Sequence, residues 1–383
     1  MPASATSNAS REISALSLTG DNPHHGKSSS FRSASELKQL FKQIGKSFDV
    51  AQVSQGPLNG TFSLTNLGSM VLLEISTNQR LLLNGDRGND CMSFCFEATG
   101  LADEHRLFNK QIAPYSLNGF RQGQKESHFQ LTANSTTFLA ILSVSRFNAF
   151  ISHCEQDDLI EQLEANNALQ ITPKIHAQFR KTFEGLLLNP PLTAQHQRQT
   201  TNHLYNSFLN ALSDKPNIKY LTYKPTPRQE LVREFIDWAF KNPRNNYNLD
   251  QISEILFASR RTLIQGTKEA LGMGPMEMMK RVRLEQVNWI LRSTEAREDA
   301  RFTTITQVAQ YYGFQSRGHF AKAYQKLFAE TPSETWLKST HTCREGMDNH
   351  HPFQTQQHDQ HSSKFNHPWG KGTAFEREMS NLP

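Results

Sequence analysis

One supersecondary pattern occurs twice in the C-terminal part of this 383-residue sequence, and it restricts the fold more than any other feature. The first copy, NLDQISEILFASRRTLIQGTKEALGMGP, covers residues 248–275, and the second, TTITQVAQYYGFQSRGHFAKAYQKLFAETP, covers residues 303–332. Four pairs share a separation of 57 positions: Ser259 with Ser316, Leu263 with Phe320, Leu271 with Phe328, and Pro275 with Pro332. A fixed register over this length indicates that one structural unit is present twice.

Each copy carries start signals for two helices. A capping-box pattern, in which glutamine follows a capping residue by three positions, precedes the first helix of each copy: Asn248 with Gln251, and Thr304 with Gln307. Ser259 and Ser316 are placed to cap the second helices, after the short turns FA and GFQ. Two short helices joined by such a turn predict a helix-turn-helix in each copy.

The second helix of the later copy has two different sides. Apolar residues recur at helical spacing on one side: Phe320, Tyr324, Leu327 and Phe328. The other side has no acidic residue, so it is suited to a major groove, which is roughly 12 Å wide. In such motifs the N-terminal part of the second helix contacts base edges. The residues predicted to contact bases are Arg260, Arg261, Ile264, Gln265 and Lys268 in the first copy, and Arg317, Gly318, His319, Ala321 and Lys322 in the second.

The stretch between the two copies, residues 275–293, reads as a helix with one apolar face. It can hold the two units at a fixed distance, so that both meet successive major grooves about 34 Å apart on one side of B-DNA. The residues predicted to contact phosphates are Ser259, Lys280, Arg281, Arg283, Ser316 and Lys326. His319 has two interpretations that the residues leave open, a base contact or a cap of its own helix.

The repeat region resembles the DNA-binding domain of the AraC/XylS family of bacterial transcription regulators, over about residues 228–337. The resemblance is carried by SRRTLIQ, by LGMGPMEMMKRVRLEQVNWIL and by VAQYYGFQSRGHFAKAYQKLFAETPSETW. The last stretch matches the family signature at Gly313, Phe314, His319, Phe320, Tyr324, Phe328, Thr331, Pro332 and Ser333. Within the family, SRRTL and GFQSRGHFAKAYQKLF are most similar to the ethanolamine-operon regulator group.

Two positions depart from the family pattern. The turn of the first unit usually carries glycine, where this chain has Phe257, and glycine usually follows the phenylalanine at Phe328, where this chain has Ala329. Either change could alter a helix end without abolishing the fold. The resemblance also implies an N-terminal β-rich domain used for effector binding or dimerisation. We assign this role to residues 31–213 only because of their position in the chain, since no motif there matches a ligand-contacting residue.

The remaining chain predicts an α+β protein of several segments. Residues 1–30 and 341–383 are polar and low in complexity, and we expect both to be disordered. Residues 31–155 alternate strand-like runs with turn clusters, which predicts a β-rich sensory domain, either a barrel or a sandwich, with a helix near residues 35–44. Residues 156–213 predict helices that either cap the β domain or pair between subunits. Three prolines favour a linker over residues 214–227, before an all-α domain of two helix-turn-helix units over residues 228–340.

Composition excludes several classes of protein. The formal net charge of +5 is compatible with nucleic-acid binding without requiring it. The four cysteines lack metal-ligand spacing, so we expect no metal or other cofactor. Neither a signal peptide nor an apolar run long enough to span a bilayer is recognisable. We therefore expect a cytoplasmic protein with no membrane partner. The tail is rich in histidine, and we interpret it as disordered. The alternative is that its imidazoles bind a transition metal weakly.

The favoured interpretation is therefore an effector-responsive transcription regulator that binds specific double-stranded DNA. Its further expected partners are an unidentified small-molecule effector, a second copy of the chain and, if the protein is an activator, RNA polymerase. One alternative is an enzyme or a metal-binding sensor, with its chemistry in the N-terminal domain and the helix-turn-helix region as an appendage. The sequence has no nucleophile elbow, paired-carboxylate motif, H-E-x-x-H motif, phosphate loop or Rossmann glycine pattern. A third hypothesis, a nucleoid-binding protein, predicts similar affinity for all DNA sequences.

Overall fold

A computed structural model describes residues 27–347, except 87, 89, 102–104, 108, 123–125 and 222–224. Two segments were expected to be disordered, residues 1–30 and 341–383. The larger part of each, residues 1–26 and 348–383, lies outside the described residues. In the described part the strands are β1 (Lys27–Phe31), β2 (Ser47–Gln52), β3 (Gly60–Asn66), β4 (Met70–Thr77), β5 (Leu81–Asp86), β6 (Cys91–Glu97), β7 (Arg106–Leu107), β8 (Lys110–Gln111), β9 (Ser116–Asn118), β10 (Glu126–Leu131), β11 (Ser135–Ser143), β12 (Ala168–Gln170) and β13 (Lys219–Leu221).

The α-helices of the same residues alternate with these strands and then form the whole C-terminal region. They are α1 (Ala34–Gln43), α2 (Val144–His153), α3 (Asp158–Ala165), α4 (Pro173–Leu188), α5 (Ala194–Ser213), α6 (Pro227–Lys241), α7 (Leu249–Ile255), α8 (Arg260–Leu271), α9 (Pro275–Arg292), α10 (Thr294–Asp299), α11 (Ile305–Tyr311), α12 (Arg317–Phe328) and α13 (Pro332–Met347). The predicted α+β class and the early helix at residues 35–44 are confirmed. No helix among the described residues is both long enough and apolar enough to cross a bilayer.

The N-terminal domain is a sandwich of two antiparallel sheets. Among the described residues, the larger sheet has the strand order β1-β3-β4-β11-β6-β9-β12-β13, and the smaller has the order β2-β5-β10-β7-β8. At the centre of the larger sheet, Leu139 of β11 lies opposite Leu73 of β4 and Cys95 of β6. Of the two architectures that the sequence left open, barrel and sandwich, the structure has the sandwich.

The larger sheet is buried on both faces. Val71, Leu73 and Ile75 point into the core between the sheets, together with the buried side of α1. Met70 and Leu72, from the same strand, point into a second core, which lies under α2–α5. Because successive side chains of a strand point to opposite faces, burial of both faces explains why MVLL is a continuous apolar run rather than an alternating one.

The helices of residues 156–213 cover the outer face of this sheet. Phe94 of β6 stacks on Phe208 of α5 with ring centroids 4.1 Å apart, and Phe96 meets Phe183 of α4 edge-on at 5.1 Å. The rings of Phe94, Phe96, Phe183 and Phe208 are fully buried, so these helices cap the β domain, as one of the two alternatives predicted. Their use for pairing between subunits remains a prediction.

The first helix-turn-helix unit shares a core with the smaller sheet, and the second unit does not. Ala51 of β2 and Leu82 of β5 are buried in a cluster with α6, α7, α8 and the first half of α9. The second half of α9 packs instead against α11 and α12 in a cluster that contains no residue of the β domain. Since residues 27–340 belong to one compact unit, the first unit is attached to the sheet and the second extends from α9.

Three segments are more ordered than expected, and one of them is the start of the tail, where α13 continues to Met347. β1 begins at Lys27, inside the stretch expected to be disordered, because it pairs with β3 as an edge strand. β13 lies inside the expected linker and pairs with β12, with Leu169 opposite Tyr220. The linker composition, which is rich in proline, therefore did not reveal a short edge strand.

Candidate nucleic-acid interface

Both helix-turn-helix units have the helix caps that the sequence predicts. The capping boxes Asn248–Gln251 and Thr304–Gln307 are formed in both directions. The Ser259 hydroxyl accepts from the backbone N–H of Thr262 at 3.1 Å, and the Ser316 hydroxyl accepts from that of His319 at 3.4 Å. These bonds satisfy N–H groups that a helix start leaves without partners, so each second helix has a fixed beginning.

The second helices, α8 and α12, are each seated by one buried side, which in α12 is the apolar stripe predicted from the sequence. The buried residues are Leu263, Gly266, Thr267, Ala270 and Leu271 in α8, and Phe320, Tyr324, Leu327 and Phe328 in α12. Glycine is favoured at position 266 for a steric reason, because a β-carbon there would lie 2.9 Å from Val232 Cγ2 on α6. Tyr324 is further held by its hydroxyl, which accepts from Asn288 Nδ2 at 2.7 Å and donates to Thr335 Oγ1 at 2.9 Å.

The turns of the two units differ by one residue. Phe257 and Gly313 each occupy the second position after their helix end, with φ values of 48° and 81°. The second turn then has one more residue before its capping serine, which is why GFQ corresponds to FA. The other departure from the family pattern, Ala329, also has a positive φ, 57°, and it ends α12. Both departures therefore lie where the backbone is left-handed and glycine is favoured.

The residues predicted to contact bases lie on the sides of α8 and α12 that face away from their cores. Nine of the ten are exposed: Arg260, Arg261, Gln265, Lys268, Arg317, Gly318, His319, Ala321 and Lys322; Ile264 is half-buried. Arg260 Nε contacts Asp250 Oδ1 at 2.8 Å, and Gln265 Nε2 donates to Glu269 Oε1 at 2.9 Å. Within the described residues, no salt bridge involves Arg261, Lys268, Arg317 or Lys322. The start of each helix thus presents cations to solvent.

The acidic group of α8 lies at its other end and is already paired. Glu269 accepts from Arg228 Nη1 at 3.0 Å and 3.1 Å through its two carboxylate oxygens. These bonds from Arg228, and then the one from Gln265, hold the pKa of Glu269 below its ordinary value. The pair also connects α6 to the side of α8.

Arg281, predicted to contact phosphate, is instead buried against the β domain. Its guanidinium donates to the main-chain oxygen of Gln52 at 2.9 Å and to that of Ser54. The residue is 5% exposed, because this turn of α9 faces the smaller sheet. The prediction needs correction: Arg281 joins the two domains and is not available to DNA in this structure.

Arg283 requires the same correction for a different reason. Its Nε donates to the Pro243 carbonyl at 3.1 Å, and its Nη2 donates to the Asn245 carbonyl at 2.6 Å. It therefore supports the loop between α6 and α7, and it is 7% exposed. Burial lowers the pKa of both arginines. In the sequence they looked like surface cations because helical periodicity does not show that α9 is covered on nearly every side.

The other residues predicted to contact phosphates lie nearer the surface. Lys326 is exposed, and Lys280 is half-buried and paired with Glu277. Ser259 and Ser316 are exposed, with their hydroxyls already used as helix caps. His319 is exposed, and its backbone N–H donates to the Ser316 hydroxyl. Its side chain is free to act either as a base contact or as a cap of its own helix, so both interpretations stay open.

Several residues between the two domains were not found from the sequence. The Glu285 carboxylate of α9 accepts from the Ser35 hydroxyl at the start of α1 at 3.4 Å, and burial raises the pKa of Glu285 to about 7. Nearby, Arg292 Nη1 contacts Glu36 Oε1 at 2.6 Å. On the other side, Asn84 Nδ2 donates to Asp237 Oδ1 at 2.6 Å. Partners separated by more than 150 positions leave no local pattern, so no sequence signal would have identified them.

A family model described as a helix-turn-helix domain matches residues 252–337. The chain is 30% identical over 144 residues to the XylDLEGF operon transcriptional activator 2 of Pseudomonas putida, an alignment that covers 38% of this chain and 85% of that protein. It is 29% identical over 113 residues to a probable thc operon regulatory protein of Rhodococcus erythropolis, covering 29% of this chain and 33% of that protein. The chain thus spans most of one relative and a third of the other.

Solved structures of regulators also align with the chain. A probable AraC family transcriptional regulator from Rhodopseudomonas palustris is 29% identical, with 29% of this chain and 97% of that chain covered and a TM-score of 0.26. The AraC-like transcriptional activator CuxR is 12% identical, with 68% and 94% covered and a TM-score of 0.36. Both TM-scores are below 0.5, so the relationship rests on the sequence relatives.

Among the described residues, no group of three or more histidines, cysteines or acids could hold a metal ion.

Proposed function

The chain belongs to the AraC/XylS family of DNA-binding transcription regulators, and we propose that α8 and α12 enter two successive major grooves of a specific DNA site. The observation that supports this proposal most directly is the matched exposure of two helix starts. Each presents cations that have no salt bridge among the described residues, Arg261 in one unit and Arg317 with Lys322 in the other, close to a capping serine. One rigid helix, α9, contributes to the cores of both units and sets their separation.

The chemistry of these side chains suits base recognition. Arginine and lysine can donate to the O6 and N7 acceptors of guanine, and glutamine can address adenine. Phosphate contacts, from groups such as Lys326, add affinity without sequence preference. Binding should therefore weaken as salt rises, with log K falling linearly with log salt concentration.

The proposal is tested by substituting one arginine in each unit. Arg261→Ala and Arg317→Ala should each weaken binding of the full chain to its selected site by about 1–3 kcal/mol and relax sequence preference at one groove only. Lys174→Ala is a matched control, since Lys174 is an exposed cation on α4 in the helical layer of the other domain. Unchanged affinity in both arginine variants would contradict these assignments. Equal affinity of the wild type for all duplexes would instead support the nucleoid-binding hypothesis.

We further propose that the protein responds to a small-molecule effector. A cavity of about 670 Å³ lies between the β domain and the first unit, in the size range of ligand sites. Its lining includes Arg106 and Asn109 from the β domain, Arg228 and Gln229 from α6, and Thr262 from α8. A ligand there would touch the recognition helix α8 directly, which supports coupling between effector and DNA. The relatives are operon regulators, so the enzyme alternative is not favoured.

The finer features of the regulator are also proposals. Action in the cytoplasm, homodimerisation through residues 156–213 and, for an activator, contact with RNA polymerase follow from the family. A position near the ethanolamine-operon regulator group is supported by SRRTL and GFQSRGHFAKAYQKLF. Effector addition to the purified chain, followed by DNA affinity and light scattering, tests coupling and oligomeric state together.

A further inference from the structure

The turn of the first helix-turn-helix unit carries an aromatic side chain that the fold does not use. Phe257 is 98% exposed, more than any other large apolar residue among those described. The turn is closed by its backbone, with the N–H of Phe257 bonded to the Glu254 carbonyl at 3.1 Å and that of Ala258 bonded to the Ser253 carbonyl at 2.9 Å. The ring therefore gains nothing from burial.

The backbone of Phe257 is also unfavourable for its side chain. At a φ of 48° the β-carbon crowds the main chain, and a bulky residue with positive φ is a rare outlier. The second unit shows the unstrained solution, since Gly313 occupies the same place with a φ of 81°. A residue that costs stability and is not buried is best explained by something the chain contacts.

The position of the ring indicates what that contact is. Phe257 lies two residues before Ser259, the cap of α8, and so at the end of α8 that carries the exposed Arg260 and Arg261. Ile255, 41% exposed, precedes it and adds a second apolar group. The apolar turn is therefore continuous with the cationic surface formed by Arg260 and Arg261.

We propose that the Phe257 ring is a further DNA contact, packing on an apolar group of the duplex at the edge of the groove that α8 enters. The proposal rests on the proposed function. Duplex DNA offers two such groups at this edge, the thymine methyl and the deoxyribose, and apolar contact with the thymine methyl is a recognised mode of base readout. The contact adds affinity without neutralising a phosphate, so it leaves the salt dependence unchanged.

The test uses the full chain and a duplex selected by the wild type from a random-sequence pool. Phe257→Gly should unfold at a higher temperature than the wild type and yet bind the duplex roughly tenfold more weakly, about 1.4 kcal/mol, with the same slope of log K against log salt. Ala329→Gly is the matched control, because it relieves the same backbone conformation in the second unit, and its affinity should equal that of the wild type.

Replacing each thymine of the duplex by deoxyuridine distinguishes the two apolar groups. If the ring contacts a methyl, one replacement weakens the wild type but not Phe257→Gly; if it contacts deoxyribose, the variant is weak and no replacement couples to it. Wild-type affinity of Phe257→Gly would overturn the inference, including the case where only transcription with RNA polymerase, or only dimerisation, is reduced. A wild type that selects no sequence contradicts the proposed function as well, whereas an unaffected variant beside a selective wild type contradicts this inference alone.

Discussion

Arg281, on the helix that separates the two DNA-binding units, donates to the main-chain oxygen of Gln52 in the β domain at 2.9 Å. The bond connects residues 229 positions apart in the chain, and it lies beside the apolar cluster that the smaller sheet shares with the first unit. The second unit has its own core, so α12 shares no apolar cluster with the β domain among the described residues. Helices α8 and α12 are therefore attached unequally to the β domain.

Removal of the Arg281 side chain should lower the free energy of unfolding and leave the salt dependence of DNA binding unchanged. Arg281→Ala leaves the buried Gln52 carbonyl without this donor, so we expect a loss of about 1–3 kcal/mol in the free energy of unfolding, measured with urea. Lys280→Ala, one residue away and partly exposed, should stay within about 0.5 kcal/mol of the wild type. A salt slope for DNA binding that falls by about one in Arg281→Ala would contradict the buried placement and support a phosphate contact.

Glu285 should make stability depend on pH near neutrality. Its pKa is about 7 when folded, against an ordinary value of 4.5, mainly because of burial. Between these two values the folded chain holds a proton that the unfolded chain lacks, so stability declines as pH rises from about 4.5 through about 7, by roughly 3 kcal/mol at most.

The check on Glu285 is urea unfolding of the wild type and Glu285→Gln across this range. The glutamine variant cannot lose a proton there, so the difference in stability between the two proteins should grow in favour of the variant as pH rises. The groups facing Glu285 are the N–H groups of Ala34 and Ser35, the Ser35 hydroxyl and the guanidinium groups of Arg281 and Arg292. A constant difference at all pH values would show that Glu285 does not titrate in this window.

Ala329→Gly should stabilise the second unit. Ala329 ends α12 with a φ of 57°, where an L residue is strained and glycine is not. We expect a gain of about 0.5–1 kcal/mol, since relief of strain exceeds the extra flexibility of unfolded glycine. Thermal unfolding measures the gain. The comparison is the opposite substitution, Gly185→Ala in the last turn of α4, which should also be stabilising because a β-carbon at Gly185 would meet nothing within 4 Å. Destabilisation by Ala329→Gly would show that the left-handed end is unstrained.

The units themselves were predictable from the sequence because their determinants are local. Ser259 caps a helix that starts at the next residue, and the stripe from Phe320 to Phe328 lies within one helix. The ten residues predicted to contact bases follow from those helix starts, and nine of them are exposed. Their contacts with DNA remain predictions.

The central helix was not predictable in the same way. Arg281 and Arg283 have the spacing of surface cations, but tertiary contacts with Gln52 and Pro243 bury them. The sequence of α9 shows one apolar face, whereas the structure packs it against α1, the smaller sheet and both units. β13 was missed for a related reason, since it is held by long-range contacts: pairing with β12 and packing of Tyr220 against the core under α2–α5.

The most direct test is a major-groove methylation-interference footprint of the full chain on its selected duplex. Insertion of α8 and α12 into successive grooves predicts two clusters of interfering guanines on one face of the DNA, separated by one helical turn, about 10–10.5 base pairs. Arg261→Ala should remove interference within one cluster and Arg317→Ala within the other. A single cluster, or two clusters that both variants weaken equally, would contradict the insertion of α8 and α12 into separate grooves.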